Sequence, residues 1–145
     1  MEMEAKFFQM SPAQKQQAVE TIKNTLKSEK DIQFAFIYGS FHDEDGDNLP
    51  FRDIDVGVYV TSMDKKESVY YGLELSERLS SLIKVPVDVR VVNFAPITFQ
   101  FHVVRGQLII DNDEDARCTF MEHVARHYLD MKPLFLRAIK EAYGE

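Results

Sequence analysis

Apolar and polar positions alternate along this chain in two distinct rhythms. Ala18, Ile22 and Leu26, with Val19 adjacent, recur at helical spacing. Ser11-Pro12 stands just before them as an N-cap followed by proline at the first helical position, so a helix is predicted to about Ser28. Phe34 to Tyr38 is apolar on both faces, as a strand inside a sheet is. Ile54, Val56, Val58 and Val60 then alternate with Asp53, Asp55, Gly57 and Tyr59, a period of two that marks a second strand. A helix is predicted over 65–83, with Val69, Gly72, Leu75, Leu79 and Leu82 towards the core, and Tyr70 and Tyr71 are most simply packed as well. Val85 to Val92 is a third strand with Val87, Val89 and Val91 on one face and Asp88 and Arg90 on the other.

A short helix over 96–105 and a short strand over 107–110 come next, closed by the turn-rich Asp111-Asn112-Asp113. A long helix starting near Asp115 carries Met121, Val124, Tyr128, Met131, Phe135, Ala138 and Ala142 as one buried stripe. Pro133 is expected to kink or split it near Met131-Lys132. Met1 to Met10 is a loose start, with Phe7 and Phe8 available to pack on the body. These elements predict one α/β domain over 1–145, a mixed β-sheet with flanking helices; the pairing order of the second and third strands is not set by spacing alone.

Composition narrows the function more than the fold. The chain has 145 residues, 45% hydrophobic and 28% charged, so it is neither disordered nor dominated by apolar spans. No apolar run is long enough to cross a bilayer, so no membrane association is expected. The net charge of −7 argues against direct nucleic-acid binding, which rests on neutralising phosphates with Lys and Arg. A small-molecule substrate or a basic protein partner fits better. Cys118 is the only cysteine, so no internal disulfide forms, and with no signal peptide the expected location is cytoplasmic.

The chemistry gathers between Gln33 and Val60. Asp53 and Asp55 are two residues apart on a strand and project to one side, with Cα atoms roughly 6.5 Å apart. Paired carboxylates repel unless a cation lies between them, and Mg²⁺ is held by a few carboxylates together with substrate phosphate oxygens. A bare D-x-D is ordinarily no more than a solvated strand end. Here the first strand stops at Gly39-Ser40, a turn whose exposed N–H groups and hydroxyl suit an anion. Phosphate donors and metal ligands are thereby placed within reach of each other. Asp88 joins them if its strand lies beside the D-x-D strand, about 4.8 Å away; otherwise it is a local hydrogen-bond partner.

Other patterns carry less. The loop from Asp43 to Asn48 fails the calcium-loop spacing, since glycine falls at the fourth position and Ile54 at the twelfth. His123 and His127 are one helical turn apart but lack further ligands, and His102 and Cys118 have no ligand set around them. Arg52 is placed either to pair with Asp53 or to contact phosphate.

Gly39-Ser40, Asp53-Ile54-Asp55 and a later strand Asp88 together resemble the DNA-polymerase-β-like nucleotidyltransferase superfamily. The small size is similar to its minimal nucleotidyltransferases, the MNT proteins, many of them antitoxins paired with HEPN-domain toxins. The resemblance implies a nucleotidyltransferase-like fold and an enzyme that moves a nucleoside monophosphate, AMP from ATP, to an acceptor hydroxyl, with a tyrosine of a cognate HEPN toxin as the expected acceptor. It implies Gly39 and Ser40 at the β- and γ-phosphates, Asp53 and Asp55 on two Mg²⁺ ions, and Asp88 completing a metal site and serving as base. Two departures stand out. The loop from Ser40 to Asp53 is longer than the resemblance implies, and Phe41-His42-Asp43-Glu44 replaces the basic residue expected shortly after Gly-Ser. A second reading is therefore kept: a non-catalytic acidic module that neutralises a toxin by binding.

Overall fold

The computed structural model describes residues 6–42 and 50–144, so the acidic loop lies outside the described residues. In chain order the elements are α1 (Pro12–Lys27), β1 (Ile32–Tyr38), β2 (Ile54–Val60), α2 (Lys65–Ile83), β3 (Val87–Val91), α3 (Ile97–Val104), β4 (Gln107–Asp111) and α4 (Glu114–Ala142). The four strands form one sheet in the order β3-β2-β1-β4. β1 pairs antiparallel with both β2 and β4, and β2 pairs parallel with β3. The mixed α/β architecture expected from the hydrophobic pattern is therefore present. The parallel pair needs a crossover, and α2 supplies it.

Two cores follow from the alternation of side chains across the strands. Ile54, Val56, Val58 and Val60 join Ala18, Ile22 and Leu26 of α1 and Leu75 and Leu79 of α2 on one face. On the other, Phe34, Phe36 and Tyr38 of β1 meet Val103 of α3 and Phe120 and Val124 of α4. The first helix starts as its sequence requires: Ser11 and Gln14 form a reciprocal capping box, with Pro12 at the first position. Phe8 bridges to Phe51 through two backbone hydrogen bonds, so the start of the chain is tied to the body from that point.

β3 is an edge strand, and its outward backbone groups are met by side chains of α2. The Val89 N–H donates to Ser76 Oγ and the Val87 N–H to Ser80 Oγ, each at 2.8 Å. Serines one helical turn apart thus match strand residues two apart. Ser76→Ala leaves a strand N–H without its acceptor, a loss worth about 1–3 kcal/mol. The expected result is a melting temperature lowered by several degrees in a circular-dichroism melt, with no change in secondary structure.

Three expectations are corrected. Val69 and Leu82 lie on the outer side of α2, where Ser68, Gly72, Leu75 and Leu79 are buried, and Tyr70 is also exposed. The inward stripe is thus displaced towards the small residues that let the helix approach β3. In the expected α4 stripe only Val124 is buried; Met121, Tyr128 and Met131 are half-buried, and Phe135, Ala138 and Ala142 are exposed. Nor does Pro133 split α4, which is helical over all 29 residues. Proline withholds a donor from the carbonyl of Leu129, and at that exposed turn water can replace it.

Candidate active site

Asp53 immediately precedes β2 and Asp55 is its second residue, so both stand at the strand's entry, half-buried. The parallel register puts Asp55 directly beside Asp88, with Val56 beside Val89 and Gly57 beside Arg90. Because Val87 and Val89 belong to the α1/α2 core, Asp88 and Arg90 point to the opposite face. This is the face of Tyr38, which is paired with Asp55 across the β1–β2 ladder. Two strand pairings therefore bring together residues far apart in sequence.

The Gly39-Ser40 turn closes the cluster. Gly39 has φ +84°, a left-handed conformation, and a Cβ built there would lie 2.5 Å from Asp55 Oδ2. Glycine thus serves both the turn and the carboxylate packed on it. The turn is closed by the His42 N–H donating to the Gly39 carbonyl at 3.1 Å. Phe41 is buried with its ring edge-on to Phe51, which anchors the turn and leaves Ser40 exposed.

The acidic side chains shape one another's protonation. Burial, then the charges of Asp53 and Asp88, pushes the Asp55 carboxyl up to about 6. Burial chiefly, with the Asp55 and Asp88 charges added, pushes the Tyr38 hydroxyl above its ordinary range and keeps it neutral. Asp88 accepts a hydrogen bond from Arg90 Nε at 3.0 Å, and this pairing holds the guanidinium above its usual pKa. Asp88 is 38% exposed, so the pair is solvated and modest in strength.

Among the described residues, no three His, Cys, Asp or Glu side chains are gathered closely enough to hold a metal ion by themselves. The donor set nonetheless has the chemistry of a hard-cation site, in which one or two carboxylates are completed by substrate oxygens. An aspartate whose charge is disfavoured by two acidic neighbours is one that a cation relieves.

A groove of about 490 Å³ runs from Tyr38, Gly39 and Ser40 to Arg105. Sequence reasoning missed Arg105 and Tyr38 as neighbours of the turn. Tyr38 was detectable as the residue preceding Gly39 on the face of Phe34 and Phe36. Arg105 was not, because its position depends on β1 pairing with β4. His102 packs edge-on to Tyr38 with ring centroids 5.3 Å apart, while His123 and His127 lie exposed on α4. Arg52 neither pairs with Asp53 nor is buried; its guanidinium lies 5.9 Å from the Phe7 ring.

Residues 20–115, more than half of the chain, match the family described as polymerase beta, nucleotidyltransferase. The chain belongs to the polymerase-beta nucleotidyltransferase family. Solved structures agree on the fold of this nucleotidyltransferase. A tri-AMPylated Shewanella oneidensis HEPN toxin in complex with MNT antitoxin aligns with a TM-score of 0.68 at 17% identity, covering 89% of this chain and 98% of that one. A toxin–antitoxin structure with AMP-PNP aligns with a TM-score of 0.70 at 18% identity, over 86% and 98% of the two chains. The toxin–antitoxin MntA-HepT aligns with a TM-score of 0.66 at 17% identity, over 88% and 98%. No curated protein matches the chain.

Proposed function

We propose that this nucleotidyltransferase transfers AMP from ATP to a hydroxyl of a partner protein, as the antitoxin of a HEPN-type toxin. The observation that carries the proposal is the register of Asp55 with Asp88 beside the Gly39-Ser40 turn. The turn's N–H groups and the Ser40 hydroxyl bind the β- and γ-phosphates and so aim the α-phosphorus at the carboxylates. Asp53 and Asp55 hold Mg²⁺, two ions in this reading, with Asp88 completing one site; magnesium when bound polarises the phosphoryl oxygens. Asp88 accepts the proton of the acceptor hydroxyl. The acceptor oxygen forms a bond to the α-phosphorus, the bond to the bridging oxygen breaks, and pyrophosphate leaves with that electron pair.

The partner assignment draws on two supports. The structural relatives are toxin–antitoxin complexes, one with an AMPylated toxin. In addition, α4 exposes Leu129, Leu136 and Ile139 along one side, and exposed apolar patches of this kind are features of protein interaction sites.

That same surface and the net charge of −7 favour the second reading, neutralisation by binding alone. The two are separated by incubating the protein with a HEPN-type partner, labelled ATP and Mg²⁺. The wild type should label the partner, and Asp53→Ala/Asp55→Ala should label it at least about a hundredfold less. Equal protection by both proteins with no label on either partner would instead establish binding as the whole function.

A further inference from the structure

The Gly39-Ser40 turn has carboxylates on one side and, on the other, a groove that Arg105 lines. Across the sheet the order is Asp88 on β3, Asp55 on β2, the turn after β1, and Arg105 just before β4. With strands about 4.8 Å apart, the carboxylates and Arg105 flank the turn on opposite sides. A polyphosphate lying over the turn would place one end at the carboxylates and the other beside the guanidinium.

Arg105 is held there by backbone packing. It caps the C-terminus of α3, and Gly106 follows it directly into β4. A Cβ at Gly106 would collide with the Ile37 carbonyl and come within 2.9 Å of Tyr38 Cβ. The chain therefore passes so close to the end of β1 that the residue before Gly106 must project beside Gly39 and Ser40. The register agrees, since Gln107 pairs with Ile37.

Among the described residues Arg105 has no carboxylate partner; its one contact is with the Phe101 ring, 5.7 Å from the guanidinium carbon. Arg90, the other guanidinium near the cluster, is engaged by Asp88. On the groove walls Arg105 is the single permanently charged side chain among the described residues, joined by the imidazoles of His42 and His102. A polyanion entering a protein of net charge −7 needs such a cation, and guanidinium binds phosphate oxygens in a fork.

We propose that Arg105 binds the terminal phosphates of the nucleoside triphosphate, so that the protein selects a polyphosphate over a monophosphate from the β4 side of the turn. This rests on the nucleotide-transfer reading above.

The test is calorimetric titration of the full chain with Mg-ATP, inorganic tripolyphosphate and AMP. Arg105→Gln should weaken Mg-ATP and tripolyphosphate by about ten- to hundredfold and leave AMP unchanged. Arg105→Lys, which keeps the charge but not the fork, should fall between. Lys132→Gln removes an equal charge from exposed α4 and should change nothing. In steady state the Arg105→Gln defect should appear in KM for ATP and largely spare kcat. Wild-type affinity for both polyphosphates in Arg105→Gln would overturn the assignment while leaving the transferase reading intact. A wild type that binds neither polyphosphate would overturn both.

Discussion

Asp55→Asn should stop AMP transfer and make the metal-free protein more stable. The first effect follows if Asp55 holds the cation, and should exceed about a hundredfold, more than the loss from supporting residues around a metal. The second follows from its surroundings. Burial and the charges of Asp53 and Asp88 raise its folded-state pKa from 3.8 to about 6. A carboxyl that binds its proton more tightly in the folded state stabilises the fold fully below the unfolded pKa of 3.8. That contribution is lost as pH rises through about 6. At neutral pH the ionised carboxylate is therefore a cost of about 1–2 kcal/mol, after allowing for solvent screening of a half-enclosed group. Asparagine does not ionise. Melts in chelator at about pH 8 should show the variant several degrees above wild type, and the difference should vanish near pH 4. Magnesium affinity of the wild type should likewise decline below about pH 6, where a proton competes for the carboxylate. A variant equal to wild type at pH 8 would mean that the carboxylate is not strained by its neighbours.

Gly39→Ala should be the most damaging single methyl addition at the site. The left-handed φ of +84° costs a non-glycine residue about 1–2 kcal/mol by itself. The new Cβ would also fall 2.5 Å from Asp55 Oδ2, so either the turn or the carboxylate must move. Nucleotide binding and transfer should both collapse if the turn holds phosphate and Asp55 the cation, as proposed, since the two share that contact. Ser40→Ala, one residue on at an exposed position, is the control: its stability should stay within about 0.5 kcal/mol of wild type while its affinity for ATP falls. Titration of each variant with Mg-ATP, alongside a denaturant melt, separates the outcomes. Tight binding by Gly39→Ala would remove the turn from the phosphate role.

The rhythm of β2 was fully legible, because Val56 and Val58 on one face and Asp55 on the other need only a period of two. The limits of α2 coincide with those predicted, although its inward face did not include Val69 and Leu82. Asp88 was legible as an acid on the correct face of its strand, but its closeness to Asp55 was not. That depends on a parallel register set by the length of α2 and the fit of Val87 and Val89 into the core. The α4 stripe misled because helical periodicity reports that a face is apolar, not that this chain covers it. Arg105 left no trace at all, since it meets Gly39 and Ser40 only through the pairing of β1 with β4.

The two serine hydroxyls along β3 limit how this molecule can be recognised from that flank. A passing peptide cannot extend the sheet there by templating on bare amides, because α2 already occupies the N–H groups of Val87 and Val89. Whatever meets this side encounters Val69, Tyr70 and Leu73 instead. Backbone templating accepts almost any sequence, whereas a fit among shaped side chains discriminates, so a molecule docking on this flank would be chosen by its shape.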